Sequence, residues 1–153
     1  REILHEFVPA KTFEELSTAE LYNILKLRSE VFVVEQNCIF LDIDGKDQIA
    51  THCFLTNSEN EIVAYTRLFD INEYYEGFTS IGRVVASAKY RKDGYGREIM
   101  KLSIARIKEL YGEEPIKIGA QSYLEKFYNS LGFISINEDY IEDGIQHKIM
   151  IRV

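Results

Sequence analysis

The stretch Ser80-Ile-Gly-Arg-Val-Val-Ala-Ser87 and the stretch Arg91-Lys-Asp-Gly-Tyr-Gly96 decide how this chain is expected to fold. The first is rich in β-branched residues and predicts a buried strand. The second contains two glycines, and apolar residues then recur at helical spacing as far as Tyr111, where Gly112 is suited to end a helix. Together they predict a strand, a glycine-containing loop and an amphipathic helix.

The loop between this strand and this helix has the features of an anion site. A helix N-terminus exposes unpaired N–H groups and partial positive charge. Gly94 and Gly96 let the backbone approach an anion, and Arg91 and Arg97 add cationic donors. The loop is neither a P-loop nor a dinucleotide fingerprint, whose third glycine is replaced here by Ile99. A pyrophosphate site and a solvated turn both stay open.

The sequence on either side completes an α+β pattern. Upstream, Ser17-Thr-Ala-Glu20 is typical of a capping box, and the helix that it begins is predicted to end or bend at residues 31–34. The remaining predictions are strands at 51–56, 62–69, 80–87, 115–119, 133–140 and 147–153, a helix at 122–130 and a hairpin turn at 142–144.

These elements predict one domain over residues 1–153. Short links between the first three strands favour an antiparallel meander, whereas the strand–helix–strand unit from 80 to 119 favours a parallel right-handed crossover. We therefore expect an α+β fold with a mixed, mainly antiparallel sheet of six to seven strands, flanked by helices. A ligand is expected beyond the carboxyl end of the strand at 80–87.

Composition narrows the class of protein. The net charge of -7 argues against a nucleic-acid partner, and no apolar run reaches the roughly 18 residues that span a membrane. Arg1 to Ala10 lacks a signal-peptide core, so a cytoplasmic location is expected, although a chain without an initiator Met leaves targeting open. Cys38 and Cys53 have no metal-ligand spacing, so we expect two reduced thiols and no metal.

Several blocks of the chain resemble the GCN5-related N-acetyltransferase (GNAT) superfamily. Residues 80–96 resemble its Arg/Gln-x-x-Gly-x-Gly/Ala motif after a strand, and Phe127-Tyr-Asn-Ser-Leu-Gly-Phe133 resembles its Tyr-x-x-x-Gly-Phe segment. Residues 27–36, 42–45 and 142–147 are similar to segments of the ElaA-like branch. The resemblance implies the acyl-CoA N-acyltransferase fold and acetyl transfer from acetyl-CoA, the co-substrate, to an amine that attacks it directly.

The resemblance also implies roles for individual residues. The main chain around Val85 would pair with the acetyl-pantetheine arm and stabilise the developing oxyanion. Tyr128 matches the family position that faces the sulfur and would protonate the departing thiolate; the alternative is that its ring only packs in the core. The residues assigned to the cofactor are Val84, Val85, Ala86, Arg91, Lys92, Asp93, Gly94, Tyr95, Gly96, Arg97 and Gln121.

The general base is less well specified by the sequence. Glu35 is the first candidate, because family geometry brings the end of the first helix close to the acceptor cleft. His52 is the second, because an imidazole has a suitable intrinsic proton affinity, and His147 is the third. The alternative for Glu35 is a surface charge, and for His52 a hydrogen-bonded strand residue.

Three arginines, Arg28, Arg67 and Arg83, fall at positions predicted to be buried. Because a buried Arg needs an acidic partner, we predict a structural network that joins them to Glu35 or to the acidic loop at 42–47. Recognition of a substrate carboxylate is the alternative. The acidic loop lacks the EF-hand pattern and is interpreted as a solvated turn rather than a calcium site.

The acceptor and the assembly are left open by the sequence. A small molecule or a peptide with a primary amine is expected, with no nucleic-acid or membrane partner, and a homodimer stays open. A non-catalytic sensor of CoA or acetyl-CoA, or a structural domain, is the alternative from another class of function.

Overall fold

The computed structural model of the protein describes residues 9–153. Arg1 to Val8 lie outside this range. The prediction that the chain has no signal peptide rests on residues 1–10 and therefore falls mostly outside the described residues. In chain order, the strands and helices are β1 (Ala10–Thr12), a 3-10 turn (Phe13–Glu15), α1 (Thr18–Arg28), a π-helix (Ser29–Glu35), β2 (Thr51–Thr56), β3 (Ile62–Phe69), β4 (Thr79–Ala86), a 3-10 segment (Ala88–Asp93), α2 (Tyr95–Tyr111), β5 (Ile116–Gln121), a 3-10 turn (Ser122–Leu124), α3 (Glu125–Asn129), β6 (Ile134–Glu142) and β7 (Ile145–Arg152).

The seven strands form one mixed sheet in the order β1-β2-β3-β4-β5-β7-β6. Every neighbouring pair is antiparallel except β4 and β5, which are parallel and are joined along the chain by α2. The predicted fold class is therefore confirmed, including the parallel pair. The turn between β6 and β7 places Asp143 and Gly144 at φ 52° and 79°, as a two-residue hairpin of this type requires.

Helices pack on both faces of the sheet because successive strand residues point to opposite sides. On β2, Cys53 and Leu55 belong to the larger core with Ile99 and Met100 of α2. Phe54, which lies between them, joins a smaller core with Ile24 of α1. The two helices therefore cover opposite faces of the central strands and leave the carboxyl ends of β4 and β5 between them.

The first helix differs from the sequence prediction in how it ends. Ser17 caps it as predicted, accepting from the Glu20 N–H at 3.0 Å. At residues 31–34, however, the chain does not stop but widens into a π-helix, in which the Gln36 N–H donates to the Val31 carbonyl at 3.1 Å. The crowding of β-branched residues is thus relieved by a wider turn rather than by a break.

Two further elements differ from the prediction. The short strand β1 was not predicted, because three residues carry too little periodicity, yet Ala10 pairs with Cys53. The helix predicted at 122–130 is a 3-10 turn followed by the single α-turn of α3. No helix within residues 9–153 has the length and apolar character to cross a membrane.

Candidate active site

A split in the sheet creates the candidate site. β4 and β5 are paired at Thr79–Ile116 and Ser80–Lys117 and then separate. Beyond this point both strands line one cavity of about 830 Å³, β4 through residues 80–86 and β5 through Ile118, Gly119 and Gln121. Main-chain groups of β4 that would otherwise pair with β5 therefore face open space, where an extended ligand can add to the strand.

A β-bulge in β4 marks the same point. Val85 pairs with Tyr65 and Gly82 with Arg67, so two residues of β4, Arg83 and Val84, oppose Thr66 alone. Arg83 adopts the left-handed conformation, φ 48°, which is uncommon for a residue with a side chain. Bulges re-aim the backbone next to active sites, and here the bulge turns the Val84–Ala86 segment toward the split.

The glycine loop closes one end of the cavity. Gly94 has φ 76°, in the left-handed region, and forms both the end of the 3-10 segment and the N-cap of α2. A Cβ built on Gly94 or Gly96 would meet nothing within 4 Å, so the cradle at the helix N-terminus is open. Arg91, Gly94, Gly96 and Arg97 line the cavity. The side chain of Tyr95 instead packs in the core, where it is 3 % exposed.

Tyr128 is presented to the cavity from α3. It lines the cavity while its ring packs edge-on against Phe127 and Phe133, at centroid distances of 5.1 and 6.0 Å. Only 5 % of the residue is exposed, and this burial raises the pKa of the phenol above its ordinary value. The ring therefore packs in the core, as the structural alternative has it, and also stays a neutral proton donor at the cavity wall.

The three arginines form one network with the acidic loop. Arg28, fully buried, bonds to Asp42 and to Asp47, each at 2.7 Å. Arg67 holds Asp44 at 2.6 Å and also reaches Asp47 at 3.0 Å. Each charge is thereby desolvated and paired, which is the condition under which buried arginines are tolerated.

Arg83 completes this network and links it to the bulge. Its Nε lies 2.7 Å from Asp42 Oδ1, and its Nη2 donates to the Asp42 carbonyl at 2.8 Å. Three arginines thus face three aspartates. The network that was predicted is present, with the acidic loop rather than Glu35 as its partner, and the loop is pinned to the sheet rather than solvated.

His52 lies beneath this network and away from the cavity. It is fully buried; its Nε2 lies 2.8 Å from the Asp47 carbonyl and its Nδ1 2.6 Å from the Tyr65 hydroxyl. Because a carbonyl only accepts, Nε2 carries the proton and Nδ1 accepts from the phenol. Burial lowers the pKa of His52, which favours this neutral form. Because both ring nitrogens are hydrogen-bonded within the protein, His52 has the geometry expected of a structural strand residue rather than of a general base.

Two residues at the end of the π-helix reach across the cavity. Glu35 forms a two-bond ion pair with Arg91, whose Nη2 lies 2.6 Å from Glu35 Oε1. The bond to Arg91 lowers the pKa of Glu35, which makes its carboxylate a weaker base. The next residue, Gln36, exchanges amide hydrogen bonds of 3.4 and 3.3 Å with Gln121 at the end of β5. Glu35 and Gln121 both line the cavity. Each is hydrogen-bonded to a residue on the other side of it, Glu35 to Arg91 and Gln121 to Gln36.

His147 lines the cavity from β7. Its Nδ1 lies 2.8 Å from the Ile145 carbonyl, so Nδ1 carries the proton and the Nε2 lone pair is left to accept one. Its ring stacks on Tyr140, with centroids 5.1 Å apart and planes 21° apart. Of the three candidate bases, His147 alone both lines the cavity and keeps an unused acceptor atom in this arrangement.

Comparison with known proteins places this geometry in a family. Residues 16–152 match the family model described as an acetyltransferase (GNAT) domain. The chain belongs to the GNAT acetyltransferase family. Protein ElaA of Escherichia coli is 40 % identical over 139 residues, which cover 90 % of each chain.

Solved structures of GNAT relatives have the same architecture. The crystal structure of E. coli ElaA aligns with a TM-score of 0.86 and 37 % identity over 95 % of this chain and 98 % of that one. An acyl-CoA N-acyltransferase from Pseudomonas aeruginosa aligns with a TM-score of 0.88 and 36 % identity, covering 95 % of this chain and 99 % of the other. The GNAT fold implies an acyl-CoA co-substrate, and the open cradle at Gly94 and Gly96 fits its phosphates.

Several cavity residues were not among the predicted site residues. Gln36 and the aromatic residues Phe69, Tyr74, Tyr75 and Tyr140 line the cavity, but they come from separate elements. The adjacent Tyr74 and Tyr75 in a loop were the only local signal, since exposed aromatics in loops are enriched at binding sites. Among residues 9–153 there is no cluster of three metal-ligating side chains.

Proposed function

We propose that the protein is an N-acetyltransferase that transfers an acetyl group from acetyl-CoA to a primary amine within a ternary complex. One observation carries this proposal. The bulged main chain of Val84–Ala86 and the glycine loop at the N-terminus of α2 line the same cavity. A thioester arm and a pyrophosphate need these two features at the two ends of one binding groove.

Backbone N–H groups of residues 92–97 would hold the pyrophosphate, since the helix N-terminus supplies unpaired donors and a favourable dipole. Arg91 and Arg97 line the cavity beside the loop and add charge. Lys92 and Asp93 are exposed on its outer side and would contribute through their main chain. Gln121 would contact the pantetheine arm from β5 once its amide leaves Gln36.

The transfer step uses donors and acceptors on both sides of the split. The amine nitrogen bonds to the thioester carbon, and the carbon–sulfur bond breaks. Val85 pairs with Tyr65, and the Ser87 N–H two residues further on donates to the Val63 carbonyl, so the Val85 N–H faces β3 rather than the split. We therefore propose that the N–H of the neighbouring Ala86, on the opposite edge of β4, stabilises negative charge on the carbonyl oxygen, an interaction whose loss typically raises the barrier by ~3 kcal/mol. Tyr128 would give its proton to the departing sulfur.

The amine must lose a proton in the same step. We propose His147 as the acceptor of that proton, because its Nδ1–H is fixed by Ile145 and its Nε2 is free to accept. Glu35 is less suited while Arg91 lowers its pKa. His52 is less suited because it is buried outside the cavity with both nitrogens occupied.

The acceptor is proposed to be a small molecule or a peptide end, and no nucleic-acid or membrane partner is proposed. The net charge of -7 argues against a nucleic-acid partner. A cytoplasmic location is proposed from the free thiols of Cys38 and Cys53.

Acetyl-CoA turnover tests the proposed function. We expect acetyl-CoA and CoA to raise the melting temperature, and we expect thiol release when an amine library is added. His147→Gln should lower kcat by about 100-fold with an unchanged melting shift. Binding without thiol release for any amine would favour the non-catalytic sensor. The absence of a shift with both ligands would reject the enzyme and the sensor.

A further inference from the structure

The end of the cavity away from the glycine loop is walled by aromatic rings. Phe69, Tyr74, Tyr75 and Tyr140 all line it, together with His147. Phe69 contacts Tyr74 at a centroid distance of 5.0 Å, Tyr74 contacts Tyr75 at 4.9 Å, and Tyr140 stacks on His147. The rings therefore support one another and form a continuous wall rather than isolated side chains.

Two of the phenols meet over β5 beside the split. A Cβ built on Gly119 would lie 2.1 Å from the Tyr140 hydroxyl oxygen and 3.2 Å from that of Tyr75. Only a glycine leaves room for both oxygens at this point of the strand. Because Gly119 follows the last β4–β5 pair at Lys117, the aromatic wall borders the opening in which the thioester is proposed to lie.

One carboxylate at this wall, that of Glu142, is left to interact with a bound cation. The two arginines that line the cavity near it are neutralised, Arg67 by Asp44 and Asp47 and Arg83 by Asp42. Glu142 also lines the cavity, and no ion pair within residues 9–153 neutralises it. After burial, the charge of Glu142 is among the causes that raise the pKa of both Tyr75 and Tyr140, so the carboxylate lies near both phenols.

These rings are already contacted by cations on the outside. Lys117 Nζ lies 4.9 Å from the centre of the Tyr75 ring, and Lys46 Nζ lies 5.5 Å from that of Tyr74. Neither lysine lines the cavity. The aromatic faces thus hold ammonium groups at cation–π distance within the protein itself.

We propose that this end of the cavity binds a primary ammonium group carried on an aromatic body, and that the acceptor has no carboxylate. The inference rests on the N-acetyltransferase function proposed above. Rings that stack edge-on and face-on accommodate an aromatic body, and Glu142 attracts its cation. An amino acid would bring its carboxylate toward Glu142 and find arginines that the acidic loop already neutralises.

Three probe amines test this class: 2-phenylethylamine, L-phenylalanine, which adds a carboxylate, and 2-cyclohexylethylamine, which removes aromaticity at similar size. With acetyl-CoA saturating, we expect kcat/KM for 2-phenylethylamine to exceed that for L-phenylalanine by at least about 10-fold, a difference of about 1.4 kcal/mol. It should exceed that for 2-cyclohexylethylamine by about 3-fold or more, within the range of a ring–ring contact.

A charge-neutral variant locates the effect. Glu142→Gln should raise KM for 2-phenylethylamine by about 5-fold, as loss of an exposed attraction of ~1 kcal/mol predicts, and should narrow the discrimination against L-phenylalanine. Glu138→Gln is the matched control on the same strand, outside the cavity. It should change neither the KM for 2-phenylethylamine nor the discrimination against L-phenylalanine. Unchanged kinetics in Glu142→Gln, or preference for L-phenylalanine, would overturn the inference.

The outcome separates this inference from the proposed function. If the protein binds acetyl-CoA and acetylates other amines in the library but not 2-phenylethylamine, the acceptor class is wrong and the acetyltransferase stands. If acetyl-CoA produces no melting shift and no amine releases thiol, the proposed function itself fails, and the acceptor class fails with it.

Discussion

The carboxylate of Glu35 and the guanidinium of Arg91 hold each other across the mouth of the cavity in a two-bond ion pair. Arg91 is thereby turned toward the π-helix, although it belongs to the loop proposed to bind pyrophosphate. Both side chains are partly exposed, Arg91 at 45 % and Glu35 at 38 %, so solvent screens the ion pair and keeps its strength modest. The pair therefore competes weakly with a phosphate for the same guanidinium.

The first prediction is that Glu35→Gln tightens binding of acetyl-CoA. Releasing Arg91 from its competitor should lower the Kd by about 2- to 5-fold, the range expected of an exposed ion pair. Calorimetric titration measures this, with Glu30→Gln on the same π-helix as control. Since the base is proposed to be His147, kcat should stay within about 3-fold. A collapse of kcat with unchanged Kd would instead restore Glu35 as the base.

The second prediction concerns Tyr128. Tyr128→Phe keeps the ring packed against Phe127 and Phe133 but removes the proton donor, so kcat should fall by about 100-fold or more while the Kd for acetyl-CoA is unchanged. Tyr123→Phe is the matched control, because Tyr123 also lines the cavity but is 75 % exposed. Rapid-quench measurement of the chemical step checks both variants, and full turnover in Tyr128→Phe would reject the role.

The third prediction concerns stability at neutral pH. Asp47 accepts bonds from Arg28 and Arg67, and Asp47→Asn leaves both buried cations short of an anion. Breaking a buried pair in this way is expected to lower the free energy of unfolding by about 3–5 kcal/mol. Urea unfolding measures it. Glu113→Gln, which removes an exposed pair with Lys108, should change it by less than about 1 kcal/mol.

The fourth prediction is a stepwise loss of stability in acid. Burial lowers the pKa of His52 in the folded state, so its contribution is complete above the unfolded value of about 6.5 and declines as pH falls below it. Burial alone would raise the pKa of Asp47, but the bonds to Arg28 and Arg67 hold it below its usual range. Its contribution is therefore complete above about pH 4 and is lost below that.

Melting temperatures between pH 8 and pH 2 distinguish these two steps. The wild type should be constant above about pH 7, decline gently below pH 6.5 and decline steeply below pH 4. His52→Gln should lose the gentle decline and keep the steep one. A melting temperature that stays level from pH 7 to pH 2 would contradict both assignments.

The features that the sequence predicted well are local or chemically constrained. The loop at Gly94 is defined by glycines, cations and helical periodicity within a few residues of one another, and the structure has it where expected. The arginine network was predictable because a buried guanidinium requires acids and the loop at 42–47 is rich in them. The sequence could not predict which acid pairs with which arginine, because partners such as Glu35 and Arg91 are separated by 56 residues along the chain.

The features that the sequence did not predict arise from convergence in space. The aromatic wall combines Phe69 of β3, Tyr75 of a loop and Tyr140 of β6, and no spacing in the chain records that they meet. The interpretation of His52 as a structural residue likewise depends on its partners, Tyr65 and the Asp47 carbonyl, rather than on the residue type. The common cause is that tertiary packing decides which polar groups are already satisfied.

The last prediction uses the contact between Gly119 and Tyr140. Gly119→Ala places a methyl group 2.1 Å from the Tyr140 hydroxyl oxygen, a separation that forces the phenol to move. We expect KM for the amine acceptor to rise by about 10-fold, as a small misplacement in a binding wall can produce, with little change in the Kd for acetyl-CoA.

Removing the hydroxyl should undo this effect. In Gly119→Ala with Tyr140→Phe, the 2.1 Å contact is gone, and the nearest remaining atoms are the Tyr75 hydroxyl oxygen at 3.2 Å and Tyr140 Cζ at 3.4 Å, contacts that a shift of a few tenths of an ångström relieves. The double variant should therefore recover most of the acceptor KM that the single Gly119→Ala change loses, while Tyr140→Phe alone changes it less. Steady-state kinetics of the four proteins gives the coupling energy between the two positions. If the two changes add without coupling, the Tyr140 hydroxyl is not the group that requires a glycine at position 119.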